Sequence, residues 1–126
     1  MVLDASPIVS FILRDDHYER ACRRLEETPL LLAGAPTLLE TAMVLAARLR
    51  RDPLPLLAAF LREADVEVVP FTQVHYEAAT RAFLRYGKGR HPVALNFGDC
   101  MTYAVARVAG MPLLHTGEEF SKTDLA

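Results

Sequence analysis

The sequence predicts an α/β fold in which a short, mostly parallel sheet is covered on both faces by helices. Two observations carry this reading. Brief apolar runs recur along the chain at Val2-Leu3, Leu30-Leu31-Leu32-Ala33, Val66-Glu67-Val68-Val69 and Pro112-Leu113-Leu114-His115. They alternate poorly and are bounded by turn or acidic residues, as strands buried on both faces are. Helical patterns fill the intervals between them, and parallel neighbours need crossovers of that length, nearly always right-handed.

Taken in order, Val2-Leu3 is a first strand, and Asp4 ahead of Ser6-Pro7 suits an Asx turn. Asp15 to Glu27 reads as a charged helix with Tyr18, Cys22 and Leu25 on one stripe. Residues 30–47 are apolar over a length that imitates a membrane span. Glu40 near the middle of that run would be costly in a bilayer, and Gly34 with Pro36 divides it into a buried strand and a helix. That helix, Thr37 to Arg51, carries Leu38, Ala42, Leu45 and Leu49 at helical spacing. Pro53 to Ala64 and Thr72 to Tyr86 show similar faces, and Asp99 to Ala109 opens at Gly98-Asp99 and closes at Gly110.

At 126 residues and 14.0 kDa the chain is the size of one domain, spanning residues 1–126. With 52% apolar residues it can fill a core, which excludes disorder. A net charge of -2 excludes a generic nucleic-acid coat or a polybasic membrane binder. Cys22 and Cys100 lie outside any CxxC and form neither a disulfide framework nor a zinc knuckle. The N-terminus lacks a basic signal region, so the expected location is a reducing cytoplasm. Serine-hydrolase, P-loop and dinucleotide-binding motifs are absent from the sequence.

Function in a parallel sheet lies beyond the carboxyl ends of its strands, and there this sequence places carboxylates. Asp4 follows the first run, Glu40 lies in the helix after the second, Asp99 opens the last helix, and Glu118 with Glu119 follows the final strand. Such acids suit hard cations such as Mg²⁺ or Mn²⁺, which take oxygen ligands and leave room for phosphate. Each acid also fits a local role. Thr37-Leu38-Leu39-Glu40 has the form of a capping box, Asp99 that of an N-cap, and Glu118-Glu119 that of a solvated turn. Between Glu77 and Asp99 lie Arg81, Arg85, Lys88 and Arg90 with no acid, and His91 adjoins them. Gly87-Lys88-Gly89-Arg90-His91-Pro92 reads as a flexible basic loop facing phosphates, with Tyr86 free to stack on a base, or else as a solvated surface.

The sequence resembles the PIN-domain ribonucleases of the VapC toxin type. The likeness runs through Val2-Leu3-Asp4-Ala5-Ser6-Pro7-Ile8-Val9, Thr37-Leu38-Leu39-Glu40, and Tyr86-Gly87-Lys88-Gly89-Arg90-His91-Pro92 leading to Leu95-Asn96-Phe97-Gly98-Asp99-Cys100. Leu113-Leu114, Thr116-Gly117-Glu118-Glu119-Phe120 and Thr123-Asp124 complete it. The resemblance implies a PIN-like three-layer sandwich and an endoribonuclease that uses Mg²⁺ or Mn²⁺ to cleave RNA. It places Asp4, Glu40 and Asp99 in the principal carboxylate positions, with Ser6 and Asn96 supporting them and Lys88, Arg90, His91 and Arg85 facing RNA. Where relatives read GDDF or GNDF, this chain reads Gly117-Glu118-Glu119-Phe120, so Glu119 or Glu118 supplies the fourth acid. A homodimer and a cognate VapB-type antitoxin are further implied. The antitoxin is expected to meet an apolar surface where Asp15–Glu27 packs on Thr37–Arg51.

The alternative of another class is a PIN-like module that binds RNA or protein without catalysis, which the altered fourth acid would suit. A phosphoacceptor receiver shares the length and pattern. It would need an Asp after the third strand, where this chain reads Pro70-Phe71-Thr72.

Overall fold

The computed structural model describes residues 1–116, 120 and 123–125. Among them are four strands, β1 (Val2–Leu3), β2 (Leu31–Gly34), β3 (Val66–Val69) and β4 (Leu113–Leu114), and six helices. The helices are α1 (Ala5–Leu13), α2 (Tyr18–Glu27), α3 (Ala35–Leu49), α4 (Leu54–Glu63), α5 (Gln73–Tyr86) and α6 (Phe97–Ala109). The sheet is parallel throughout, in the order β3-β2-β1-β4. Strand order therefore reverses at β1, between β2 and β4, and the crevice of a doubly wound sheet opens at such a reversal.

Side chains from alternate strand positions feed two cores. Val2, Leu32 and Leu113 face α5 and α6, where they meet Ala82, Tyr86, Tyr103, Val105 and Ala106. Leu3, Leu31, Ala33, Val66 and Leu114 face the other way, onto Ile8, Leu25, Leu57 and Phe60. Burial on both sides explains why these strands read as unbroken apolar runs.

The sequence reading corresponds to the structure in its strands and in the cores of five helices, but it passes over α1. Ala5–Leu13 is apolar almost all round, so it has no amphipathic stripe to betray it. Pro7 occupies the first turn, where no intrahelical N–H is required of it. The consequences reach further. Asp4 is the N-cap residue of α1 rather than the head of an isolated turn, and α1 packs against both α2 and α3. Helix α1 thus stands in contact with both helices that were expected to pack on each other.

Two helix starts also move. Helix α3 begins at Ala35 after Gly34, so Glu40 lies beyond the first turn and Thr37-x-x-Glu40 is not a capping box. Helix α6 begins at Phe97 with Asn96 as its cap, and Asp99 is the reciprocal partner rather than the cap: Asp99 N–H donates to Asn96 Oδ1 at 2.9 Å, and Asn96 N–H to Asp99 Oδ2 at 3.0 Å. The basic segment after α5 is hydrogen-bonded into shape rather than loose. Lys88 N–H donates to the Leu95 carbonyl, the N–H groups of Arg90 and His91 to that of Gly87, and Val93 N–H to His91 Nδ1.

Leu57 on α4 is 4% exposed and lies away from the crevice residues. Leu57→Ala is expected to cost about 2–5 kcal/mol through lost transfer energy and a residual cavity. Urea unfolding checks it: the midpoint should fall while the slope is kept.

Candidate active site

Asp4 leaves the end of β1 with its backbone N–H bonded to the Leu114 carbonyl at 2.9 Å, which ties it to the neighbouring β4. The residue is only 8% exposed, and a charge so placed needs donors in place of water. Thr102 of α6 donates to Oδ1 at 3.0 Å, and Ser6 to Oδ2 at 3.3 Å. Thr102 has a single hydroxyl proton and commits it to Asp4. The 3.0 Å contact between Thr37 and Thr102 is therefore a donation from Thr37. Ser6 Oγ in turn accepts the N–H of Thr116 at 3.1 Å, which secures the chain beyond β4. Helices α1 and α6 thus donate to one carboxylate, α3 stands behind α6, and the same residue's backbone holds β4.

Helical spacing brings the other acids to the same place. On α3, Thr37, Glu40, Thr41 and Val44 recur at three- and four-residue intervals and share a face. On α6, Asp99 and Thr102 do the same one turn apart. Burial first, with the charges of Asp4 and Asp99 behind it, raises the Glu40 carboxyl above the ordinary glutamate value. Glu40 therefore feels both aspartates. An open cleft of about 390 Å³ is lined by Asp4, Ser6, Glu40 and Thr116 together with Ser10, Asp15 and His17. Ser10 donates to Asp15 Oδ2 at 3.1 Å, and His17 N–H to Oδ1 at 2.9 Å.

Of the residues singled out in the sequence, Asp4, Ser6 and Glu40 line the cleft, and Asp99, anchored by Asn96, acts on Glu40 from the start of α6. Glu118 and Glu119 lie outside the described residues. Among the described residues no three His, Cys, Asp or Glu side chains close on a single point as a ready-made metal cage. Lys88 and Arg90 are exposed, as the reading of a basic surface requires. Arg85 lies with its guanidinium 4.9 Å from the centre of the Tyr86 ring, and Arg90 lies 5.2 Å from that of Phe83. Tyr86 itself is 4% exposed and packs edge-on against His91, so it is a core ring and cannot stack on a base. Cys100 is buried, and that burial, with Asp99 beside it, pushes its thiol up to about 11, which suits a core side chain and not a nucleophile.

Sequence reasoning missed Thr102, Thr37, Asp15 and His17. The hydroxyls had a faint signal in Thr37-x-x-Glu40 and Asp99-x-x-Thr102, where a polar residue shares the face of an acid one turn away. Asp15 and His17 had none, because only the unread helix α1 carries the chain back past the cleft.

This arrangement of a reversed parallel sheet with acids from β1, α3 and α6 at its carboxyl edge agrees with comparison to known proteins. Residues 1–125 match the PIN domain, and the chain belongs to the PIN-domain family. Ribonuclease VapC36 of Mycobacterium tuberculosis is 40% identical over 126 residues, covering 99% of this chain and 91% of the relative. Ribonuclease VapC of Mycolicibacterium smegmatis is 37% identical, covering 100% of this chain and 98% of the relative. Among solved structures, M. tuberculosis VapC20, a toxin that cleaves the sarcin-ricin loop, superposes with a TM-score of 0.82 at 22% identity, over 99% of this chain and 95% of that one. A chain of a toxin-antitoxin complex from Klebsiella pneumoniae gives 0.73 at 16% identity, over 98% and 92%. These two share the fold. Among the described residues, no helix is long and apolar enough to cross a membrane.

The raised Glu40 carboxyl has a consequence for stability. Between the ordinary glutamate value of 4.5 and the raised one, the folded chain binds more protons than the unfolded chain, so this group's contribution falls as pH rises through that window. Glu40→Gln removes the loss. The variant should melt higher than wild type at neutral pH, and the gain should vanish as pH drops below 4.5, as thermal melts across pH will show.

Proposed function

We propose that this chain is an endoribonuclease toxin that hydrolyses RNA phosphodiester bonds in the cleft beside Asp4, Glu40 and Asp99, and that a cognate VapB-type antitoxin restrains it in the cytoplasm. The observation that carries this is that Asp4 and Glu40, from separate elements, line one cleft and that the Glu40 carboxylate lies against Gly98, the neighbour of Asp99. A protein assembles like charges at such cost mainly where function needs them. Identity of 37–40% to proteins named VapC ribonucleases supports the reading.

The donor set is all hard oxygen, carried by carboxylates that repel one another, and this fits Mg²⁺ or Mn²⁺. Asp4, Glu40 and Asp99 would hold the ion, with Glu119 or Glu118 as a fourth acid. When bound, such an ion supplies charge neutralisation at phosphate oxygens and an acidified water. The chain's own residues do the rest. Thr102 and Ser6 fix the rotation of the Asp4 carboxylate, and the capping box with Asn96 fixes that of Asp99. Lys88, Arg90, His91 and Arg85 offset the repulsion that an acidic cleft exerts on RNA, drawing the backbone in from the side of the loop that leads to Asp99. Single-stranded or looped RNA suits this open site, since its backbone can be splayed into the cleft. A homodimer and an antitoxin segment entering the groove complete the reading, and a fold shared with a chain of a Klebsiella toxin-antitoxin complex is consistent with an antitoxin partner.

The decisive experiment maps new RNA 5′ ends in bacterial cells after brief induction of wild type and of Asp99→Asn. New ends at a few sites with growth arrest, both missing in the variant, are expected; identical maps would sink the proposal. In purified protein, Asp4→Asn and Asp99→Asn should each lower cleavage by about 100-fold or more without unfolding the chain. Chelation should stop the wild type, and added Mn²⁺ should restore it.

The basic loop makes a separate expectation. In the inactive Asp99→Asn background, Lys88→Ala with Arg90→Ala should weaken RNA binding and flatten the log–log salt slope by about 1.4, two contacts at about 0.7 each for single strands. An unchanged slope would return the loop to a plain solvated surface.

A further inference from the structure

Helices α3 and α6 approach so closely that side chains have been dispensed with at two levels. A Cβ built on Gly34, at the head of α3, would stand 2.7 Å from Val105 Cγ2. Three residues on, Thr37 and Thr102 touch through their hydroxyls at 3.0 Å. Three residues further, a Cβ on Gly98 would stand 2.1 Å from Glu40 Oε2, 3.0 Å from Cδ and 3.3 Å from Oε1. Residues 34, 37 and 40 thus meet 105, 102 and 98 in turn, along two helices running in opposite senses. With the first two levels packed together, spreading the helices at the third would give up those contacts.

Gly98 has no backbone reason to be glycine. It lies in the first turn of α6 and is absent from the residues of positive φ, and glycine is the poorest helix former after proline. The space its missing side chain leaves is filled by the Glu40 carboxylate. We infer that Gly98 is a positioning residue, whose bare Cα lets the Glu40 carboxylate rest against the first turn of α6 beside Asp99, at the edge of the cleft that Asp4 and Glu40 line. Any side chain at 98 drives that carboxylate off its seat, because the terminus of Glu40 is the one part of the contact free to move. The inference rests on the nuclease reading for its functional consequence, but its geometric claim stands apart from it.

The test uses Gly98→Ala, Glu40→Asp and the two together. Gly98→Ala should fold normally yet lose cleavage by about 100-fold, the scale of a 1 Å misplacement, with weaker Mn²⁺ binding by calorimetry. Glu40→Asp withdraws the carboxylate by one carbon–carbon bond, about 1.5 Å, and impairs the enzyme alone. In the Gly98→Ala background it should instead recover cleavage and Mn²⁺ affinity at least tenfold. Wild-type cleavage in Gly98→Ala, or a double variant no better than Gly98→Ala, would overturn the inference. If Asp4→Asn still cleaves, or the wild type never does, the nuclease reading falls, and melting then judges the seat. Gly98→Ala should raise the melting temperature more in a Glu40→Ala background than in wild type, while equal shifts in both would remove the contact.

Discussion

A carboxylate buried at the end of a parallel sheet must be solvated by protein groups, and much of this molecule is arranged around that requirement at Asp4. The donors come from far apart in the chain. Thr102 reaches it from α6, Ser6 from the first turn of α1, and Thr37 stands behind Thr102 on α3. Its own N–H holds β4 in register beside β1. The chain of hydroxyls is directional: Thr37 gives to Thr102, which gives to Asp4, and Asp4 accepts from both sides. Removing Thr102 would take a donor from the buried Asp4 and the acceptor from Thr37 at once, a loss of about 1–3 kcal/mol. The hydrogen bonds that solvate the acid therefore also hold the layers in register.

Against that fixed point Glu40 is strained. Glu40 is held where burial and two neighbouring charges disfavour its ionisation, and a neutral side chain of the same shape would serve the fold better. A structure selected only for stability would not keep it. Gly98 repeats the pattern in the backbone: α6 gives up helix propensity in its first turn to leave room for that same carboxylate. Two independent stability costs, one electrostatic and one conformational, fall on the same oxygen atoms. Such convergence is how a functional site differs from a surface cluster of acids.

How much of this was legible in the sequence depends on which physical signal each part carries. The strands were legible because burial on both faces writes an unbroken apolar run, and α4, α5 and most of α2 because a half-buried helix writes a stripe. Helix α1 was not, since Ser6 and Ser10 are its only polar side chains and too slight a face, among Ile8, Phe11 and Ile12, to set a period. Asp4, Glu40 and Asp99 were legible as candidates because strand order places them at one edge, but their local roles were misassigned. The capping reading of Glu40 failed because Pro36 favours an earlier helix start, and Asn96 rather than Asp99 caps α6 because a cap three residues before an acid satisfies both ends at once. Tyr86 was misread because an aromatic at a helix end beside a basic loop looks the same in sequence whether it faces solvent or core.

The residues that escaped the reading share one property: their roles exist only between elements. Thr102 is one more small polar residue in an apolar helix until Asp4 is seen across the sheet from it, and Gly98 is a poor helix former until Glu40 is seen above it. Neither is announced by its own neighbours in the chain. The carboxylates could be found one at a time because strand ends gather them, whereas what holds them in place lies in the close approach of α3 and α6, set by Gly34 against Val105 and by two threonine hydroxyls. With the helices packed this closely, the same contacts that hold α3 on α6 set where Glu40 and Asp99 stand relative to Asp4, which is the kind of preorganisation that electrostatic catalysis requires.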